Sequence, residues 1–396
     1  MIKDYQKKLT CHRRNLHMIP EIDRYLPKTK TYILSVLEPL DCTLTFMCGS
    51  GICAFFDFDQ DHAIAFRADM DALPVDEANE CDYVSQHPGF MHACGHDGHM
   101  SMVITLAEYL GTLDECSHNV LLIFQPAEET LGGADEICKS GILQDYNVKA
   151  VFGTHMWPMS EKGVITTRPG ALMPRSAEIN IDINGTAAHG TSPAEGLDAL
   201  YITSEYVMKL YELHSKMPGA VPRFEEGTGS LNYIPADSPD KRTVIHLGKM
   251  VSGYARNIVS DYSHLLGTLR AYDDETFAKL VNMMTDLLRE IEEKYGCTTS
   301  FSRSEGYPPV INDSKLYADI TPVLEAMGDE YQLLPDPLMI SEDFSFYGLQ
   351  APSVFFLLGT GTGISLHSTD WDFDESVLMT GFNLYKSLLE HTDFTF

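Results

Sequence analysis

Residues 119–129, Asn-Val-Leu-Leu-Ile-Phe-Gln-Pro-Ala-Glu-Glu, run from an apolar segment directly into two adjacent carboxylates. The apolar part, Asn119–Phe124, is typical of a buried β-strand. Ala63–Arg67 and Lys149–Thr154 are also strand-like, and Met100–Leu110 has the apolar spacing of a helix. This alternation of strands and helices predicts a mainly parallel sheet covered by helices on both faces.

Polar side chains follow each of these strands. Asp69 follows the first strand, Glu128 and Glu129 follow the second, and His155 follows the third. In open α/β sheets, ligands bind outside the carboxyl ends of the strands. We therefore expect these residues to meet at one edge of the sheet.

The pattern of predicted elements changes near residue 176. From there the order β, α, β, β, α, β is that of a ferredoxin-like sandwich, and its longest helix is predicted between an N-cap at Asp273 and a stop at Gly296. The α/β pattern resumes after Pro309. The fold class is therefore α/β with two domains. The domain at 1–175 and 307–396 is discontinuous, and an α+β domain is inserted at 176–306.

Composition excludes several classes of protein. The chain has 396 residues, of which 44% are hydrophobic, so it can form packed cores in two domains. Its 28 basic and 57 acidic residues leave a net charge of -29, which repels phosphate backbones and anionic lipid. We expect no nucleic-acid or membrane partner.

Targeting signals and cysteine usage point to the cytoplasm. No apolar run reaches the roughly 20 residues that span a bilayer, and the first residues lack the apolar segment of a signal peptide. The nine cysteines are scattered, which is not the pattern of a disulfide scaffold. We expect a cytoplasmic protein with reduced thiols.

The densest cluster of chemical groups is His92–His99, His-Ala-Cys-Gly-His-Asp-Gly-His. It holds three imidazoles, a thiol and a carboxylate, and its glycines allow sharp turns. Such donors indicate a metal site, although a polar loop with coincidental histidines is an alternative. A closed structural zinc site is disfavoured, because no second Cys/His pair follows at short spacing.

The adjacent Glu128 and Glu129 are a second signal. Neighbouring carboxylates next to an apolar core disfavour each other unless a cation is present, and the alternative is a solvated acidic turn. Two isolated histidines, His155 and His367, are ambiguous by themselves. The glycine-rich segment before His367 lacks the Lys-Ser/Thr pair of a P-loop, so we expect no nucleotide site.

Together these segments resemble the amidohydrolase branch of the aminoacylase/carboxypeptidase G family of metallopeptidases. That branch includes hippurate hydrolases, N-acyl-amino-acid deacylases and auxin-conjugate hydrolases. The resemblance covers nearly the whole chain, and the Cys-Gly-His loop separates this branch from its relatives. The matching segments are Arg13–His17, Pro20-Glu21, Arg67–Pro74, the Cys94/His96 loop, Gln125–Glu129, His155, Gly185–Gly196, Asn257, Gly267–Arg270, Ser341–Phe344 and His367.

The resemblance implies a centre of two divalent metal ions, which zinc, manganese, nickel or cobalt could provide. Its ligands would be Cys94, His96, Glu129, His155 and His367, with Glu128 as general base. Five ligands suffice for two open-sided ions only if one bridges, and we expect the Cys94 thiolate to do so. Asp69 is expected to orient a metal-binding histidine, with a bridging role left open. Other branches carry a ligand histidine where this chain has Arg67.

Three residues of the inserted domain would contact substrate by the same resemblance. His189 would stabilise the oxyanion from the lid, with helix capping as its alternative. Asn257 and Arg270 could hold a substrate carboxylate, although Arg270 could instead brace the two domains. The segment after Asn257 lacks the proline expected before Asp261. The resemblance also implies a homodimer through the inserted domain.

The predicted function is metal-dependent hydrolysis of the amide bond of small N-acyl-L-amino acids. Glu128 would take a proton from water and deliver it to the departing amine. Dipeptidase or carboxypeptidase activity at the same site is one alternative, and a metal-loaded binding protein without turnover is another. A covalent amidase with Cys94 as nucleophile, activated by His96, is a third.

Overall fold

A computed structural model of the chain describes residues 4–130, 132–223 and 234–396. It divides into two compact units. The first comprises Met1–Leu172, Val310–Pro335 and Glu342–Phe396, and the second comprises Met173–Pro309 and Asp336–Ser341. The short segment Asp336–Ser341 thus groups with the second unit, in addition to the continuous insertion.

The described residues form the following strands and helices. The strands are β1 (Thr43–Met47), β2 (Gly51–Phe56), β3 (Ala63–Asp69), β4 (Asn119–Gln125), β5 (Val148–Trp157), β6 (Ile165–Thr167), β7 (Gly170–Met173), β8 (Arg175–Asn184), β9 (Thr243–Ser252), β10 (Tyr262–Ala271), β11 (Thr298–Arg303), β12 (Val310–Asn312), β13 (Tyr331–Leu333) and β14 (Ser353–Gly359). The α-helices are α1 (Tyr5–His17), α2 (Pro27–Leu37), α3 (His96–Leu110), α4 (Gly133–Lys139), α5 (Ile142–Asp145), α6 (Ala199–Ser215), α7 (Asp274–Tyr295), α8 (Ser314–Ala326), α9 (Ser345–Gly348) and α10 (Leu378–Glu390). Short 3-10 helices lie at Pro193–Glu195, Pro239–Lys241, Gly328–Glu330 and Glu375–Val377.

The first unit contains a sheet with the strand order β1-β2-β4-β3-β5-β14-β6-β13. Its central strands, β4, β3, β5 and β14, pair in parallel. β3, β4 and β14 are buried at every position, as expected for parallel strands with both faces covered. The predicted mainly parallel α/β fold is confirmed.

Two strands of this sheet extend further than predicted. Asp69 is the last residue of β3 rather than the residue after it, and His155 lies inside β5, which continues to Trp157. β5 continues to Trp157 because it pairs with β14, whose residues Ser353–Gly359 lie opposite Val151–Trp157.

The second unit is a four-stranded antiparallel sheet with the order β11-β8-β10-β9. Buried side chains of α6 and α7 pack on one face of this sheet. The connectivity and strand order are ferredoxin-like, as predicted. α7 also has the predicted ends, because the Asp273 carboxylate accepts a hydrogen bond from Thr276 N at 2.7 Å and Gly296 has a φ of +73°.

All nine cysteines lie in the described residues, and all carry free thiols. Within the same residues, none of the helices is both long enough and apolar enough to cross a bilayer.

Candidate metal centre

The turn between the candidate ligands at 94 and 96 is set by Gly95. This glycine is the N-cap of α3 and has a φ of +90°, and a Cβ there would lie 2.8 Å from Trp371 Cη2 and 2.9 Å from Met156 Cγ. Only glycine fits such a position. The helix therefore begins at His96, four residues before the predicted start at Met100. His96 and His99 lie on its first turn, whereas His92 and Cys94 precede it.

Backbone carbonyls fix the rings of two candidate ligands. His96 Nδ1 donates to the Asp71 carbonyl at 2.7 Å, and His155 Nδ1 donates to the Met156 carbonyl at 2.7 Å. In each ring the Nε2 lone pair is thereby left for another partner. His155 Nε2 lies 3.5 Å from Cys94 Sγ.

The five predicted ligands come together in two groups that share Cys94. The ligand atoms of Cys94, His96 and His155 all lie within 4.8 Å of one another, and so do those of Cys94, Glu129 and His367. His367 Nε2 lies 3.3 Å from Glu129 Oε1. The residues come from β5, the start of α3 and three loops, so the sheet edge gathers donors that are far apart in sequence.

The described residues fit divalent cations. His96 Nε2 is buried, has no hydrogen-bond partner among the described residues, and lies 3.9 Å from Glu129 Oε1. An unpaired buried nitrogen is costly unless something binds it. Burial lowers the pKa of His155 to about 3, which keeps its imidazole neutral, the form that binds metal. Thiol, imidazole and carboxylate together suit borderline divalent ions.

Glu128 lies beside this centre. Its ligand atoms group with those of His96 and Glu129 within 4.8 Å. Burial, and then the charges of Glu342 and Glu129, raise the pKa of Glu128 well above that of an ordinary carboxyl. Burial also acts to raise the pKa of Glu129, but the hydrogen bond from His367, the nearby charges of His96 and His367 and the hydrogen bond with Cys94 together outweigh it, and the pKa falls. The two adjacent carboxyls thus have different environments, as an acid/base residue next to a ligand requires.

Asp69 orients a histidine outside the predicted ligand set. Its Oδ1 accepts a hydrogen bond from His99 Nδ1 at 2.6 Å, and His99 Nε2 accepts from Met156 N at 2.8 Å. Both ring nitrogens of His99 are therefore engaged. Asp69 Oδ2 also lies 3.6 Å from Nε2 of the predicted ligand His96, and the ligand atoms of Asp69, His96 and His99 lie within 4.8 Å of one another. His99 was missed by the sequence analysis, although its spacing of three residues from His96 places both on one face of α3.

Arg67 balances the carboxylates behind the site. Its buried guanidinium donates to Gln125 Oε1 at 2.8 Å, Asp69 Oδ2 at 2.6 Å, Asp343 Oδ1 at 2.8 Å and Glu342 Oε1 at 3.0 Å. Arg67, at the position where other branches of the resembled family carry a ligand histidine, is thus a structural cation in this chain. It links β3 to the segment after residue 341.

Comparison with known proteins now decides the family. The sequence model of peptidase family M20/M25/M40 matches residues 65–391, which include all five candidate ligands and Glu128. The chain belongs to this family. It is 34% identical over 398 residues to an uncharacterized hydrolase of Staphylococcus haemolyticus, covering 97% of each chain.

Two solved structures are similar along their whole length. One, from methicillin-resistant Staphylococcus aureus, is described provisionally as an aminohydrolase; it has 26% identity and a TM-score of 0.87, covering 99% of this chain and 97% of that one. The other is the Bacillus subtilis YxeP protein, described as a dinuclear metal binding peptidase from the M20 family, with 25% identity, a TM-score of 0.83 and full coverage of both chains. The resemblance seen in the sequence is confirmed at the level of the M20/M25/M40 family.

The N-terminal motif of this M20/M25/M40 member braces α3, the helix that carries the candidate ligand His96. Asp97, the second residue of α3, accepts from Arg13 Nε at 2.8 Å and from His17 Nδ1 at 2.7 Å, and His17 Nε2 lies 3.0 Å from Glu77 Oε1. Both ring nitrogens of His17 face carboxylates, so the ring is an imidazolium. Burial opposes this charge, but Asp97 and Glu77 outweigh it and raise the pKa of His17.

In the second unit of the M20/M25/M40 chain, two of the three predicted substrate residues are neighbours. His189 is exposed and forms a backbone bridge with Ile258, and Gly190 N donates to the Asn257 carbonyl at 2.8 Å. The capping alternative for His189 concerned the helix at Pro193; the N-cap of the 3-10 helix Pro193–Glu195 is Ser192, without a side-chain capping bond, and Asp198 caps α6. Arg270 lies on β10, and its Nη1 is buried with no partner among the residues that the structure describes.

Proposed function

We propose that the protein is a metal-dependent amidohydrolase that removes the acyl group from N-acyl-L-amino acids. The observation that carries this proposal is the convergence of five metal-binding side chains beside the buried Glu128. Membership of the M20/M25/M40 family supports hydrolysis. The similar S. aureus structure, described provisionally as an aminohydrolase, supports hydrolysis of a carbon–nitrogen bond.

We propose two divalent ions per subunit, with Cys94 as the shared ligand. Cys94 Sγ belongs to both donor groups, one completed by His96 and His155 and the other by Glu129 and His367. YxeP, described as dinuclear, supports this number. Zinc, manganese, nickel and cobalt all suit these donors. When bound, the ions would polarise the acyl carbonyl and lower the pKa of water.

Glu128 moves the proton in this proposal. A carboxylate that is buried and repelled by neighbouring charge binds a proton more readily than an exposed one, which suits a general base near neutral pH. Glu128 takes a proton from the attacking water and then gives it to the amine that leaves. The raised pKa helps the first step, and proximity to the reacting atoms allows the second.

We propose that the inserted domain contributes His189 to the oxyanion and Asn257 or Arg270 to the substrate carboxylate. Arg270 Nη1 lacks a partner among the described residues while being buried, and a carboxylate would supply one. In a chain with a net charge of -29, an anionic substrate needs such a local cation.

Dipeptide hydrolysis is the second candidate, favoured by the description of YxeP as a peptidase.

The covalent amidase is disfavoured by the surroundings of Cys94. Burial, followed by the charges of Glu129 and Glu128, raises the pKa of this thiol, whereas nucleophilic cysteines occupy electropositive surroundings.

The test combines Glu128→Gln with a substrate panel of N-acetyl amino acids, N-benzoyl amino acids and dipeptides. Glu128→Gln is expected to lower kcat by about 10²–10⁴-fold while Co²⁺ still binds to the metal-free protein. Glu115→Gln, an exposed loop change of the same kind, should leave kcat unchanged. A chelator should abolish turnover; turnover that survives metal removal contradicts the proposal, and a panel without any turnover favours the binding-protein alternative.

We also propose a homodimer through the inserted domain. β9 is an edge strand of its sheet and exposes Met250 and Val251, and α6 exposes Tyr201 and Met208. Exposed apolar side chains on the edge strand of a sheet favour association with a second copy. Sedimentation velocity tests this assembly against the monomer mass of 44.2 kDa.

The free thiols support our proposal of a cytoplasmic location.

A further inference from the structure

His189 lies in a short turn of the second unit whose backbone is fixed by hydrogen bonds. The His189 carbonyl accepts from Ser192 N at 2.8 Å, which closes a four-residue turn. Gly190 N donates to the Asn257 carbonyl at 2.8 Å, and a Cβ at Gly190 would lie only 3.0 Å from that carbonyl oxygen. The backbone that carries the His189 ring is therefore held closely against the backbone of Asn257.

Thr191, the third residue of this turn, contacts one ring nitrogen of His189 twice. Thr191 N donates to His189 Nδ1 at 3.3 Å, and Thr191 Oγ1 lies 2.8 Å from the same nitrogen. Because a backbone N–H can only donate, Nδ1 must offer its lone pair to it. A proton on Nδ1 would instead face the Thr191 N–H. The Thr191 hydroxyl therefore donates to Nδ1 as well.

These two hydrogen bonds select one tautomer of the neutral ring. An uncharged imidazole carries one proton, so an Nδ1 that accepts leaves this proton on Nε2. His189 Nε2 makes no hydrogen bond to the residues that the structure describes, and the side chain is exposed. The Nε2–H group is therefore available as a donor while the ring is uncharged.

The other tautomer could not perform the role proposed for His189 at this atom. A developing oxyanion is stabilised by a donor that is already directed toward it, whereas a lone pair on Nε2 would repel it. A neutral donor also needs no proton from solution. Its hydrogen bond persists at a pH at which histidine rings have lost their charge.

We propose that Thr191 is a positioning residue that holds neutral His189 in its Nε2–H tautomer and so prepares it as the oxyanion donor. The inference rests on the proposed function, in which His189 stabilises the oxyanion. It assigns Thr191 no contact with substrate, because Thr191 acts through Nδ1 of the ring. Loss of the Thr191 hydroxyl should therefore lower kcat and leave KM nearly unchanged.

Thr191→Val is the perturbation, because valine keeps the branched shape and lacks the hydroxyl, and Thr191→Ser is the conservative variant that retains the hydroxyl. Thr31→Val is the matched control. Thr31 is an exposed residue of α2, and its hydroxyl donates to the Pro27 carbonyl at 2.7 Å. Both valine variants thus lose one hydroxyl hydrogen bond, but only the variant at residue 191 loses a bond to a ring nitrogen.

The first measurement is the tautomer of His189, by ¹⁵N NMR of protein labelled at histidine. The signals of His189 are assigned by their absence from the spectrum of His189→Ala. At about pH 8, where histidine rings are neutral, protonated and unprotonated ring nitrogens resonate in separate regions. We expect Nδ1 to be unprotonated and Nε2 protonated in the wild type, in Thr31→Val and in Thr191→Ser. In Thr191→Val the two signals should move toward each other, because the tautomers then exchange.

The second measurement is a double-mutant cycle on kcat for a substrate of the panel. The net contribution of one hydrogen bond corresponds to a loss of about 2–10-fold in kcat for Thr191→Val. In the His189→Ala background the same change should have no effect, since the residue through which Thr191 acts is gone. An equal loss in both backgrounds, or no recovery in Thr191→Ser, would show a structural role for Thr191 and overturn the inference.

The outcomes also separate this inference from the proposed function. An unchanged His189 tautomer in Thr191→Val overturns the role of Thr191 and leaves the hydrolase proposal intact. A wild-type ring protonated on Nδ1 does the same, so the test does not depend on the folding of a variant. A wild-type protein without turnover on the whole panel overturns the proposed function, and the catalytic part of the inference with it.

Discussion

Gly95→Ala tests how the metal-binding turn is built. The new Cβ would take a residue with a φ of +90°, which costs about 1–2 kcal/mol. It would also lie 2.8 Å from the Trp371 ring and 2.9 Å from the Met156 side chain, both fully buried. Overpacking of this kind costs about 1–3 kcal/mol. We therefore expect the variant to lose about 2–5 kcal/mol of unfolding free energy.

A second glycine separates the two contributions. Gly141 is the N-cap of α5 with a φ of +84°, and a Cβ there would meet no described atom within 4 Å. Gly141→Ala should therefore show the backbone cost alone. The difference between the two variants isolates the crowding against Trp371 and Met156, about 1–3 kcal/mol.

The free energy of unfolding of both metal-free variants is measured in urea, and the two variants are compared only if their unfolding free energies have the same dependence on urea concentration. Co²⁺ titration of the same proteins measures metal binding. Gly95→Ala should also weaken Co²⁺ binding, because the turn places the ligands on either side of it, whereas Gly141→Ala should not. If Gly95→Ala is no less stable than Gly141→Ala, the crowding argument is refuted. If it is less stable but binds Co²⁺ normally, the turn does not position the ligands.

Two further predictions concern buried charges in the first unit. Arg67→Met leaves Asp69, Glu342 and Asp343 without their cation, so it should lower the free energy of unfolding in urea by about 3–5 kcal/mol. Arg24→Met is the control; because the pair of Arg24 with Glu136 is partly exposed, its loss should be less than about 1 kcal/mol. Equal losses in the two variants would contradict this ion-pair account. His17 has a raised pKa in the folded state, so its stabilising contribution is complete below its unfolded value of about 6.5 and is lost as the pH rises through the folded value. The stability difference between the wild type and His17→Gln should therefore shrink between pH 6 and pH 9, and a difference that grows over that range would show that the ring is not an imidazolium.

Local signals were sufficient for several elements. α7 begins and ends where Asp273 and Gly296 predicted, because capping depends on residues within one turn of the helix. The alternation of strands and helices predicted the parallel centre of the large sheet, and the β, α, β, β, α, β order predicted the ferredoxin-like unit. Failures arose where a neighbour in space set the boundary, as at the end of β5, which pairs with β14.

By itself the sequence determined the element types, the presence of an inserted unit and the kinds of candidate ligand side chains, because these follow from spacing and residue chemistry. Tertiary structure alone decided which donor faces which acceptor. Asp69 accepts a hydrogen bond from His99, which was not among the predicted ligands, and Arg67 donates to Asp343 from 276 positions away. Such pairings depend on strand order and register, which bring the partners within about 3 Å.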